Sequence, residues 1–92
     1  MSVAGEVRNL RIVRELESAI QLKWKKPVDG GRPAGYHVQR GAPGTRWKDV
    51  ATAMHTRIEL EDQARGVELE YRVVAFNKMG SGGPSGTVRA VL

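Results

Sequence analysis

The chain has no cysteine, which excludes a disulfide framework, a thiolate metal site and a cysteine nucleophile. Histidine occurs only as His37 and His55, too few and too far apart for a histidine-based metal cluster. No apolar run approaches the roughly 18–20 residues of a membrane span, and no signal-peptide pattern opens the sequence. These absences lead to the expectation of a soluble monomer with no cofactor and no membrane insertion. Positive charge is what the chain has in excess: 15 Lys and Arg stand against 10 Asp and Glu, a formal net charge of +5. With 92 residues, 40% of them hydrophobic, there is material for one small core. A domain of that size buries only ~60–65% of the surface its unfolded chain exposes.

Alternation dominates the pattern. Ile20, Leu22 and Trp24 share one parity, with Gln21, Lys23 and Lys25 on the other. Tyr36 and Val38, then Ile58 and Leu60, then Leu69, Tyr71, Val73 and Ala75 repeat the scheme. A period of two over four to eight residues marks half-buried strands, because successive side chains point to opposite faces. Leu10 and Ile12 suit an earlier strand, Trp47 and Val50 a short one, and Val88 and Ala90 a last one. That gives about seven strands at sandwich-like spacing.

The breaks between them are Pro27 to Pro33, Gly41 to Gly44, and Met79 to Gly86, the last too glycine-rich for a regular element. Glu59 to Glu70 is the only helix-friendly stretch, but Gly66 interrupts it and its apolar residues do not recur at three and four, so it is read as strand, corner and strand. The expectation is one all-β domain over residues 7–92, preceded by a flexible lead over residues 1–6.

Two blocks carry a family resemblance. Leu22-Lys23-Trp24, Pro27, Asp29-Gly30-Gly31 and Gly35-Tyr36-His37-Val38 form the first. Tyr71 through Ser85, with Asn77 and Pro84, forms the second. Together, in this order and at this separation, they resemble a fibronectin type III domain from about Val7 to Leu92. The resemblance implies an immunoglobulin-like two-sheet sandwich, with strands A, B and E facing C, C′, F and G in the family's lettering. One position departs from the pattern. The place of the family's corner tyrosine is Leu69, and the leucine usual six residues earlier is Gln63. Leucine cannot donate the hydroxyl bond that pins such a corner, so the Gln63 amide or the Gly66 backbone is expected to hold it. The Asp29-Gly30-Gly31 frame also occurs in giant muscle-protein members. The Gln63-to-Gly66 stretch looks more like members appended to bacterial proteins, and the expectation leans to a bacterial multidomain protein. The chain stops almost immediately after the last strand, from which a C-terminal module is the expectation, although a boundary that is not the natural end would look identical.

No catalytic constellation is legible. Nucleophilic catalysis needs a Ser or Thr beside an oriented base; His37 is expected to face outward on strand C and His55 to lie in the turn before strand E. Gly80-Ser81-Gly82-Gly83 lacks the Gly-Lys-Ser/Thr ending and the following helix of a phosphate loop. Arg-Gly-Asp, the adhesive tripeptide of some family members, is absent. The resemblance therefore implies a non-enzymatic spacer and protein-interaction module of a larger chain, whose partners are neighbouring domains and another protein. Binding is expected through the BC loop (Pro27 to Arg32), the DE turn (Ala53 to Thr56) and the FG loop (Asn77 to Ser85), or through an exposed sheet face. The candidate residues are Asp29, Arg32, His55, Lys78, Met79 and Ser81. The alternative is a polyanion- or carbohydrate-binding module built on Lys23, Lys25, Lys26 and Arg57, joined by Arg32 and by Arg8, Arg11 and Arg14. Glu15, Glu17, Glu59 and Glu61 are expected to cut that field. Trp47 is expected at the core edge beside Val50, with a partly exposed position near Met79 or Phe76 as the alternative. Val74 and Val91 are expected to form a small outward apolar strip.

Overall fold

The computed structural model describes residues 2–92 and contains strands but no helix. The strands are β1 (Arg8–Glu15), β2 (Ile20–Lys25), β3 (Gly35–Gly41), β4 (Lys48–Ala53), β5 (Arg57–Leu60), β6 (Glu68–Asn77), β7 (Gly80–Pro84) and β8 (Val88–Val91). One sheet has the order β1-β2-β5; the other runs β4-β3-β6-β7, with β8 also paired to β6. This is the expected sandwich, A-B-E against C-C′-F-G. Its core follows the alternation: Ile20, Leu22, Val38, Tyr71, Val73 and Ala75 are fully buried between the sheets. Trp24 meets Tyr36 edge-on, ring centroids 5.4 Å apart at 66°, the arrangement that aromatic quadrupoles favour.

The count is eight because the last strand comes in two pieces. β7 pairs with the end of β6 from Val74 to Asn77, and β8 pairs with its start from Glu68 to Tyr71. Ser85 bridges the break: the Val73 N–H donates to Ser85 Oγ at 2.9 Å, and the Ser85 N–H donates to the Val73 carbonyl at 2.9 Å. The expectation of a long irregular loop through Gly86 is thus corrected. Gly80 to Pro84 is a strand, and Gly82 is there for close approach rather than for looseness. A β-carbon on Gly82 would run into the carbonyl oxygens of Ala4 and Gly5, which lie across it. Pro84 is tolerated because β7 is an edge strand.

Those two residues belong to a segment that the sequence set apart as a flexible lead. Met1 lies outside the described residues. Ser2 to Glu6, by contrast, straps the BC loop to β7. Ala4 is 1% exposed and bridges to Gly30 and Gly31. The Gly31 N–H donates to the Val3 carbonyl at 2.8 Å, and Asn77 Nδ2 donates to the Ser2 carbonyl at 3.0 Å. Gly30 takes φ +77°, the left-handed conformation expected of the Asp-Gly-Gly turn.

The corner between β5 and β6 is held by Gln63, one of the two expected solutions, with a partner the sequence did not suggest. Gln63 is buried, and its Oε1 accepts from Tyr71 Oη at 2.7 Å and from Arg40 Nη1 at 2.9 Å. Its Nε2 donates to the Glu61 carbonyl at 2.9 Å, and its backbone N–H donates to the Ser18 carbonyl at 2.8 Å. Gly66 adds a backbone bond to the Leu92 carbonyl at 2.8 Å. Leu69 turns inward, opposite Ala90. The hydroxyl has therefore moved two residues along the strand, to the fully buried Tyr71, and the side chain at 63 became an acceptor to meet it. Burial pushes the Tyr71 phenol above its ordinary value of 10.0, and the Arg40 charge pulls weakly the other way.

Candidate functional site: a loop end and a basic sheet face

The BC, DE and FG connections gather at one end of the sandwich, as expected, but the six candidate residues divide between two places. Arg32 and His55 come together. They line a depression of about 340 Å³ with Lys26, Pro33, Tyr36 and Met54. Asp29, Lys78 and Met79 lie instead around the Ser2–Gly5 strap. The Asp29 carbonyl packs against Gly5, and the FG connection is a tight turn in which the Met79 N–H donates to Asn77 Oδ1 at 2.9 Å. Ser81 is on β7, opposite Phe76 and exposed. The end they surround is notably apolar for a free surface: Val28 is 70% exposed, Met54 66%, Met79 50% and Val3 44%. Val3 was not singled out from the sequence, because nothing local says that the segment before the first strand folds back over the BC loop.

The basic residues form a different surface on the outer face of β1, β2 and β5. Lys23 stands opposite Arg11 on one side and Arg57 on the other, and Lys25 stands opposite Arg8. Directly opposite residues of antiparallel strands project to the same face, so these five cations lie together. Arg14 joins them opposite Gln21. Simple alternation would not produce this, since residues three apart point to opposite faces. Two bulges in β1, between Arg8 and Arg11 and between Ile12 and Arg14, reset the parity. Asn9 takes φ +53° at the first. Of the carboxylates expected to cut the field, Glu59 does lie on this face, hydrogen-bonded by Gln21 Nε2 at 2.7 Å. Glu15 is in register with Ile20, and Glu17 pairs with Arg65 at 3.3 Å. Glu61 falls past the end of β5. Lys26 is separated from the group, in the depression beside Arg32.

On the outer face of the other sheet, Asp49, Gln39 and Arg72 form a ladder. Gln39 Nε2 donates to Asp49 Oδ1 at 2.9 Å, and Arg72 Nε donates to Gln39 Oε1 at 2.7 Å. The Arg72 guanidinium lies 4.4 Å from the Trp47 ring centroid. Trp47 is thus neither at the core edge nor beside Met79 or Phe76. A bulge at the Val38/Gln39 rung makes Val50 the extra residue, so Trp47 turns outward while Val50 packs on the core. Trp47→Ala is expected to cost about 1 kcal/mol in chemical denaturation, mostly the cation–π contact and the packing of the Arg72 stem. An unchanged unfolding midpoint would show that the contact adds nothing. Val74 faces outward as expected but is 7% exposed, so only Val91 remains of the apolar strip. His37 stacks on Phe76, centroids 4.3 Å apart at 18°. Among the described residues, neither histidine is hydrogen-bonded to a serine or a carboxylate, and no three His, Asp or Glu side chains gather as metal ligands.

Two antiparallel sheets packed face to face, with the strand order A-B-E against C-C′-F-G and loops collected at one end, define the class of immunoglobulin-like β-sandwich modules. The family model described as "Fibronectin type III domain" matches residues 5–91, and the chain belongs to that family. Its members are generally non-catalytic structural modules. The chain is 28% identical to a titin homolog of Caenorhabditis elegans over 93 residues, covering 98% of this chain and, to the nearest per cent, 0% of that protein. It is 33% identical to contactin-3 of Homo sapiens over 90 residues, 88% of this chain and 9% of that one. Among solved structures, the twitchin kinase region from C. elegans superposes with a TM-score of 0.90 at 26% identity, covering 96% of this chain and 16% of that chain. The chain is therefore similar to one module of much longer proteins. These relatives are animal proteins, and the expectation of a bacterial source is not supported. The corner that suggested it is an internal exchange of hydrogen-bond partners between residues 63 and 71, which says nothing about source.

Proposed function

We propose that this chain is a non-enzymatic spacer and protein-interaction module of a larger multidomain protein, meeting its neighbouring domain or partner through the BC, DE and FG end. The observation that carries this reading is the set of exposed apolar side chains there, Val3, Val28, Met54 and Met79. Isolated exposed hydrophobics are ordinary, but several on the strap, BC loop, DE turn and FG turn of one end favour a covered surface. The similarity to single modules within long chains supports the same reading. Arg32 and His55 edge the depression beside this surface and supply its polar rim, and Asp29, Lys78 and Ser81 do so on the side of the strap.

Amide hydrogen exchange in the isolated chain and in its longer parent tests the reading. Amides of Val3, Val28, Met54 and Met79 are expected to gain about tenfold or more in protection when the neighbour is present, since exchange reports local opening. Equal protection at this end in both samples would remove the proposed contact.

A further inference from the structure

The basic face lies on the opposite sheet from the Trp47–Arg72 ladder, and it runs from the loop end, where Arg8 Nε donates to the Lys26 carbonyl at 3.1 Å, along the length of β2. Six cations share it: Arg8 and Lys25 in one row, Arg11, Lys23 and Arg57 in the next, and Arg14 beyond. Successive rows on one face of a strand are about 7 Å apart. Like charges placed directly across a ladder are unfavourable for the fold. The two ion pairs among the described residues, Arg65–Glu17 and Arg89–Glu70, lie elsewhere. Glu59, the one carboxylate in these rows, is engaged by Gln21.

The second observation is a trough of about 500 Å³ running across this face past Val13, Gln21, Lys23, Arg57 and Glu59. Val13 sits at the second bulge and is 48% exposed. The bulge that turns Arg14 outward thus also leaves a bare apolar wall among the cations, and the methylene stems of Lys23 and Arg57 extend it. No aromatic side chain stands on this face to stack on a nucleic-acid base. A sulfated sugar offers Val13 only ring C–H groups set among hydroxyls and sulfates, a poorer match than the side chain of an apolar residue.

We propose that the outer face of β1, β2 and β5 is a docking site for an extended acidic peptide segment of a partner protein, with its carboxylates on the rows of Arg and Lys and an apolar side chain against Val13. Arginine forks suit carboxylates because they donate two parallel hydrogen bonds. Glu59 puts negative charge in the Arg14 row, so the carboxylates of the segment are set against the rows of Arg8 and Lys25 and of Arg11, Lys23 and Arg57.

The test is an amide-shift titration of this chain with a synthetic peptide of alternating glutamate and leucine, run beside a heparin fragment and a DNA duplex at low and moderate salt. Shifts are expected on β1, β2 and β5, with the peptide bound more tightly than either other polyanion and all binding weakened by salt. Lys23→Glu combined with Arg57→Glu is expected to weaken the peptide by about tenfold or more. Arg11→Ser, a milder change on the edge strand, is expected to act in the same direction. Val13→Ser is expected to weaken the peptide about threefold while leaving heparin unchanged. The proposal is overturned if heparin or DNA binds more tightly than the peptide, if the charge reversals or Val13→Ser leave peptide affinity unchanged, or if no resonance on this face moves.

Discussion

Replacing Gln63 with leucine is expected to destabilise the domain by about 2–3 kcal/mol, even though leucine is the residue the family usually carries there. The substitution restores an apolar side chain of similar size but strips Tyr71 Oη of its acceptor, inside a side chain that is fully buried. A buried hydroxyl without a partner loses its full hydration, whereas replacing both partners by apolar groups is close to neutral. Tyr71→Phe alone should cost less, about 1 kcal/mol, because Gln63 Oε1 keeps the Arg40 bond. The double variant should then be more stable than the sum of the singles predicts, by about 1–2 kcal/mol. Urea unfolding of the four proteins measures this. If the two losses add within about 0.5 kcal/mol, the hydroxyl bond is not what holds the corner.

Burial of the same phenol sets a pH dependence. The Tyr71 phenol is raised above 10.0 by burial, so the folded state holds its proton more tightly than the unfolded state does. The resulting stability is fully present below pH 10 and is lost as pH rises through the folded value. Tyr36 is raised for the same reason. Tyr71→Phe is therefore expected to lose less stability than the parent between neutral and strongly alkaline pH, and lysine titration, common to both proteins, cancels in the comparison.

The second large effect concerns the strap. Gly82→Ala is expected to cost about 1–3 kcal/mol, the range for forcing atoms into filled space. The added carbon meets backbone oxygens of Ala4 and Gly5 rather than the end of a flexible side chain, so the strap must lift. With it go the burial of Ala4 and the Gly31 N–H to Val3 carbonyl bond. Loss of amide protection at Gly31 reports the lifting separately from the loss of global stability. Gly86→Ala is the control, since nothing lies within 4 Å of a β-carbon there. It should change stability little, and in the stabilising direction if at all. Equal effects of the two substitutions would show that the strap does not rest on Gly82.

The sequence by itself determined the sandwich. Alternation set the inner faces of β2, β3 and β6, because a period of two is a local property of extended backbone and needs no knowledge of the partner strand. It also placed Gly30 at a left-handed turn and Asn77 at the start of the FG turn, where each residue's own chemistry decides. The tertiary structure decided what alternation cannot. A bulge inserts a single residue where the sheets must twist to fit, and every side chain beyond it changes face. That is why Trp47, inward by strict parity from Ala51 and Ala53, lies under Arg72, and why Arg8, Arg11 and Arg14 share one surface. The strap and the Gln63–Tyr71 pair were hidden for a related reason. Each joins residues whose meaning depends on what packs against them, so glycines that looked like loop became a strand pressed against its own N-terminal segment, and a polar residue in a leucine position became the acceptor for a buried hydroxyl.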